Sequence, residues 1–125
     1  MLDYAWAEGF ARDWVASWNS HDVERVLSHY ADDFEMESPL IVCRLRIPTG
    51  RLKGKEAIRS YWAGGLHSTP NLEFKLLDFA VGVNTIAIRY YSLTLDRTVT
   101  EVIEFNERRL GVRAAALHVM PGGKD

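Results

Sequence analysis

The hydrophobic pattern of this chain changes period along its length, and that change restricts the folds open to it. Through the first half, apolar side chains recur mainly at helical spacing; from Leu72 to His118 they alternate. Between Tyr4 and Trp18 the residues Ala7, Phe10, Ala11, Trp14 and Trp18 form one stripe, and Glu8 and Arg12 pair at i,i+4 away from it. Asn19-Ser20-His21-Asp22 ends this helix and offers Ser20 or Asp22 as the cap of a second, short one. That helix places Val23, Val26, Leu27 and Tyr30 on one face. Phe34, Met36 and Ser38 alternate with Glu35 and Glu37 in a short strand that stops at Pro39. From Leu40 to Lys53 no clean period emerges: Ile41-Val42-Cys43 could be strand, and Pro48-Thr49-Gly50 is a turn. A third helix begins near Lys55, with Ile58, Tyr61, Trp62 and Leu66 at helical spacing and Gly64-Gly65 weakening its end.

Strand patterning dominates thereafter. Leu72 to Leu76 alternates, and Leu77 and Phe79 continue with the parity shifted, which predicts a bulge near Leu76 or Leu77. After the turn at Gly82-Val83-Asn84, Ile86, Ile88 and Tyr90 oppose Thr85, Ala87, Arg89 and Tyr91. Asp96-Arg97 marks the next turn, and Arg108 to Gly111 leads into a last strand through His118. Three consecutive hairpin-linked strands behind a layer of helices predict an α+β fold, an antiparallel sheet covered on one face. No linker, repeat or low-complexity tract divides the sequence, so residues 1–125 are expected to form a single domain. The expected inward set includes Trp14, Phe34, Trp62, Ile88 and Ile103.

Glu101 breaks the pattern. It lies in Thr98-Val99-Thr100-Glu101-Val102-Ile103-Glu104-Phe105-Asn106, where Val99, Ile103 and Phe105 share its parity. One sheet face therefore carries three apolar side chains and one carboxyl. A carboxyl there has a partner, keeps its proton, or lines a cavity. Either it is a hydrogen-bonded structural acid (or a one-residue slip of register), or it is a working acid in a pocket. His118 poses a related question. If Val112, Ala114 and Ala116 face inward, so does His118, which could then act as a base; the opposite parity turns Ala115, Leu117 and Val119 inward instead.

Several function classes fall away on composition. A net charge of −2 argues against nucleic acid as the main partner. The basic cluster Arg44-Leu45-Arg46, with Arg51 and Lys53 after it, reads as a solvated loop face. A single cysteine, Cys43, cannot form an intrachain disulfide. With no basic-then-apolar start and no uncharged run long enough for a bilayer, no membrane partner is expected and a cytoplasmic location is. His21, His29 and His67 fall at turns or a helix end and are expected to be exposed. No spacing resembles a metal site, and no glycine-rich phosphate loop occurs, so no cofactor is expected.

Certain strings resemble the NTF2-like superfamily, and most closely its SnoaL-like members. Trp18-Asn19-Ser20-His21-Asp22-Val23-Glu24 resembles that family's junction between its first two helices, and Tyr30-Ala31-Asp32-Asp33-Phe34 its entry into the first strand. Gly54-Lys55-Glu56-Ala57-Ile58-Arg59-Ser60-Tyr61-Trp62 is similar to its third helix. The resemblance implies a cone, cystatin-like in outline, of three N-terminal helices packed on a curved, mainly antiparallel sheet. It also implies an apolar interior pocket and a homodimer formed through the outer sheet face. Ketosteroid isomerases of this superfamily shuttle a proton with an Asp just before a Pro; the matching residue here is Ser38. Their Tyr donor on the first helix matches Trp14, and their second donor, an Asp kept protonated in an apolar setting, matches Glu101. With two of three parts missing, ketosteroid isomerisation by that mechanism is not expected.

The resemblance would bring Trp14, Trp18, Tyr30, Trp62 and Tyr90 together in the interior, where they either fill the core or wall a pocket for a small apolar or cyclic ligand. Two functions follow as expectations. One is a cofactor-independent isomerase, cyclase or hydrolase with Glu101 as its acid, Ser38 and Tyr90 orienting the substrate, and Ile88, Ile103 and His118 beside it. The other is a ligand-binding or assembly module without chemistry.

Overall fold

The computed structural model describes residues 1–119. Helix α1 (Tyr4–Asn19) is capped by Asp3, whose carboxylate accepts from the Trp6 N–H at 3.1 Å. In α2 (Val23–Leu27) the cap is Asp22, which accepts from the N–H groups of Glu24 and Arg25, while Ser20 braces the turn by accepting from Asp22 N–H. Tyr30 does not share the face of α2. It opens strand β1 (Tyr30–Glu37), which is longer than the alternation of Phe34, Met36 and Ser38 predicts.

The uninterpreted stretch is a helix, not a strand. Helix α3 (Pro39–Leu45) starts where Ser38 Oγ accepts from Leu40 N–H at 3.1 Å and Pro39 takes the first helical position, which needs no N–H. It ends at Arg46, in the left-handed region at φ 57°. This local signal outweighs the β-branched pair Ile41-Val42, so the domain has four helices among its described residues rather than three. Strand β2 (Arg51–Lys53) follows, then α4 (Lys55–Ser68), which runs through Gly64-Gly65 without a break.

Strands β3 (Phe74–Val81), β4 (Thr85–Ser92), β5 (Arg97–Phe105) and β6 (Gly111–His118) form an antiparallel meander of four strands. The register shifts between Leu76 and Asp78, at the bulge that the parity change marks. The six-stranded sheet has the order β2-β1-β6-β5-β4-β3, and only β1 and β6 pair in parallel. Trp14, Phe34, Trp62, Ile88 and Ile103 are all buried.

Three rows cross the inner face of β4, β5 and β6. Ile86, Ile103 and Ala114 form the first; Ile88, Glu101 and Ala116 the second; Tyr90, Val99 and His118 the third. The last strand thus takes the parity that turns Ala114, Ala116 and His118 inward and leaves Leu117 exposed. Gly111 lets β6 begin against Tyr30: a Cβ there would lie 2.7 Å from the Tyr30 ring and 3.0 Å from Ile103. Gly111→Ala is expected to lower stability by about 1–3 kcal/mol through overpacking. A reduced urea midpoint would register this, and an unchanged midpoint would mean the ring moves aside at no cost.

Candidate active site

The inner rows and the helices enclose a cavity of about 180 Å³. Trp14 and Trp18 on α1, Trp62 on α4, Phe74 on β3 and Tyr90 on β4 wall it. Trp18 and Trp62 lie edge to face at 5.0 Å, and Trp14 is tilted against Tyr90 at 5.3 Å and stacked on Phe74 at 6.2 Å. Ser38, Glu101 and His118 also line the cavity. Tyr30, Ile88 and Ile103 do not. They are fully buried in the packed core behind it, where Tyr30 stacks on Phe34 at 4.3 Å.

Glu101 is only 5% exposed. Burial raises its pKa to about 8, and no cation offsets that cost, so the carboxyl is mostly protonated at neutral pH. Two phenols stand near it. The hydroxyls of Tyr30 and Tyr90 are held well above their ordinary range, by burial first and then by the nearby Glu101 carboxyl. Trp14 Nε1–H donates to Tyr30 Oη at 2.9 Å, which fixes the ring and leaves the phenolic proton available to another acceptor.

His118 pairs with Val99 across β5 and β6, one row beyond Glu101. Such diagonal neighbours on a sheet face are about 7–8 Å apart. Its Nδ1 is buried without a partner, and so is Trp18 Nε1. Burial, then the charges of Arg97 and Arg44, push the imidazole below its ordinary value, so it is neutral where Glu101 is also neutral. Ser38 Oγ accepts from Leu40 N–H as the cap of α3 and keeps its own proton to donate.

Arg44 is the lining residue that the sequence pattern misassigns. It is not on a solvated loop but on the last turn of α3, one helical turn beyond Leu40, and both side chains border the cavity. The Ser38-Pro39 cap was the signal that could have revealed it. The histidines also need correction. His67 is exposed, but His21 places a ring nitrogen 2.8 Å from the Leu72 carbonyl, and His29 is largely buried, its Nε2 3.1 Å from Ser17 Oγ and 3.2 Å from Asp13. Asp13 and Ser17 meet the same nitrogen, so they are not arranged to relay a proton through the ring. Among the described residues no His, Cys, Asp and Glu side chains cluster as metal ligands, and no helix is long and apolar enough to cross a membrane.

Comparison with known proteins places this geometry. The model of the SnoaL-like domain matches residues 11–124. The chain belongs to the SnoaL-like family. Among solved structures, a SnoaL-like protein of unknown function from Burkholderia thailandensis is 41% identical, with a TM-score of 0.91 over 94% of this chain and 98% of that one. A candidate isomerase of the SnoaL-like family from Agrobacterium tumefaciens is 16% identical, with a TM-score of 0.72 over 91% and 97%. An NTF2-like protein of unknown function from Cytophaga hutchinsonii is 8% identical, with a TM-score of 0.65 over 90% and 89%. At these low identities the last two speak for the fold alone. No curated protein matches the chain.

The buried acid leaves a trace in stability. Its pKa rises from an ordinary 4.5 to about 8 on folding, so its contribution is fully present below 4.5 and is lost as pH rises through about 8. Relative to Glu101→Gln, the native protein is expected to lose about 1.4 kcal/mol per pH unit inside that window and nothing more above it. Urea denaturation of both proteins across the range measures the difference. A constant difference would show that Glu101 titrates alike in the folded and unfolded chains.

Proposed function

We propose that this SnoaL-like protein binds a small apolar or cyclic molecule in its cavity and catalyses a cofactor-independent proton transfer on it, as an isomerase, cyclase or hydrolase. The observation that carries this reading is the pairing of a neutral acid and a neutral base. Glu101 and His118 line one cavity from adjacent strands, and burial pushes the pKa of the acid up and that of the base down. Environments that separate two titratable groups in this way assign their roles. The neutral His118 imidazole takes a proton from a carbon next to a carbonyl, and the Glu101 O–H donates to the carbonyl oxygen as charge develops on it. Tyr90 and the tryptophans hold the ring system. A cavity of ~150 Å³ admits benzene, so about 180 Å³ suits one or two fused rings.

The rate should be bell-shaped in pH. It rises as His118 loses its proton below 6.5 and falls near 8 as Glu101 loses its own. Deuterium wash-in from D₂O at the α-carbon of 2-tetralone, followed by NMR, provides the assay. Glu101→Gln and His118→Ala should each slow exchange by roughly 10²-fold, with 2-tetralone binding retained. Binding without any enzyme-dependent exchange would make the protein a ligand-binding module instead.

A homodimer through the outer sheet face belongs to the same proposal. Val102 faces Ala115 there, Leu117 in the next row is 53% exposed, and Tyr91 lies one row further on. Contiguous apolar surface of this kind usually marks a contact. Light scattering at micromolar concentration is expected to give twice the mass of the 14.2 kDa chain, and a monomer would remove the dimer from the proposal.

A further inference from the structure

The cavity has a polarity that the proton-transfer reading does not use. Its deep end is walled by Trp14 and Glu101, at 1% and 5% exposure. At its outer end are the exposed residues Arg44 and Thr94. Among the described residues Glu101 is the only Asp or Glu in the lining, and it lies at the deep end. Among the described residues, the Arg44 guanidinium has no carboxylate partner; it rests against Tyr61, whose hydroxyl feels its charge. Arg44 borders the same cavity as His118, where its charge is felt.

We propose that the natural ligand is a cyclic carboxylate, with its ring system between the tryptophans and its carboxylate held at the mouth by Arg44. The inference deepens the proposed function by naming the ligand class, and it rests on that reading's claim that the cavity binds a ligand. A guanidinium offers a planar pair of N–H donors that matches a carboxylate edge. A phosphate ester fits less well: its greater charge would meet a single unpaired arginine, with no glycine-rich loop beside it. The deep acid does not oppose the choice, because Glu101 carries little charge at neutral pH and so does not repel an anion. The ligand is thereby oriented: its anionic end is outside, and its reacting carbon lies inward between His118 and Glu101.

Isothermal titration at neutral pH with a matched pair, 2-naphthoate and 2-naphthylmethanol, tests the assignment. The naphthoate is expected to bind at least roughly tenfold more tightly, the effect of one charge-assisted hydrogen bond. Arg44→Gln, at an exposed position, should abolish that preference by bringing the naphthoate's affinity down to the alcohol's. Equal affinities for the two compounds, or a preference that survives Arg44→Gln, would overturn the carboxylate assignment while leaving the cavity a binding site. Failure of both compounds to bind would remove the binding reading and the carboxylate with it.

Discussion

The site depends on the register of three strands. Glu101, Tyr90 and His118 reach one cavity only because β4, β5 and β6 align Ile88 with Glu101 and Ala116, and Tyr90 with Val99 and His118. A slip of one residue would send the carboxyl and the imidazole to the outer face together. The turns hold that alignment. Between β4 and β5, Ser92 Oγ accepts from Leu95 N–H, and Asp96 adopts a left-handed conformation at φ 53° while its carboxylate accepts from the Tyr91 hydroxyl. Between β5 and β6, Asn106 Oδ1 accepts from the N–H groups of Arg108 and Leu110, with Arg109 at φ 63°. Local side-chain hydrogen bonds of this kind make the turn geometry specific.

Given that register, the electrostatics follow from burial. Ile88, Ala116, Val99 and Ile103 flank Glu101 with apolar side chains that carry no charge, and desolvation alone moves it. The aromatic ring contacts position the cavity without closing it. Large edge-to-face and tilted pairs leave gaps that aliphatic side chains would fill. Buried polar atoms without partners cost stability, and here two of them, Trp18 Nε1 and His118 Nδ1, belong to residues that border the same space as the unpaired carboxyl. That coincidence is what distinguishes this interior from an ordinary core.

Where the sequence pattern failed, it failed for local reasons. The stretch after Ser38 has β-branched residues but also a cap followed by proline, and the cap prevailed because it satisfies an N–H that a strand would have paired elsewhere. Arg44 read as a solvated loop residue because a seven-residue helix shows too little periodicity to reveal its inner face. His29 looked exposed from its place at a helix end; its burial comes from Phe10 and Ser17 on α1, contacts that cross the chain. Tyr30, Ile88 and Ile103 share the inward face with the cavity wall, but a shared face does not distinguish that wall from the packed core beside it.

By itself the sequence determined that helices precede strands, that the inner face of β4 carries Ile86, Ile88 and Tyr90, and that one carboxyl lies among apolar neighbours. These are consequences of side-chain period and turn chemistry, both local. It could not decide whether that carboxyl had a partner, because partners come from other strands and helices. It also left the parity of the last strand open, since Ala114, Ala115 and Ala116 are equally small on both faces. Tertiary structure decided these points. Pairing β6 between β5 and β1 chose one face for His118, and packing α1, α3 and α4 over the sheet left a space where an acid, an imidazole and a guanidinium converge.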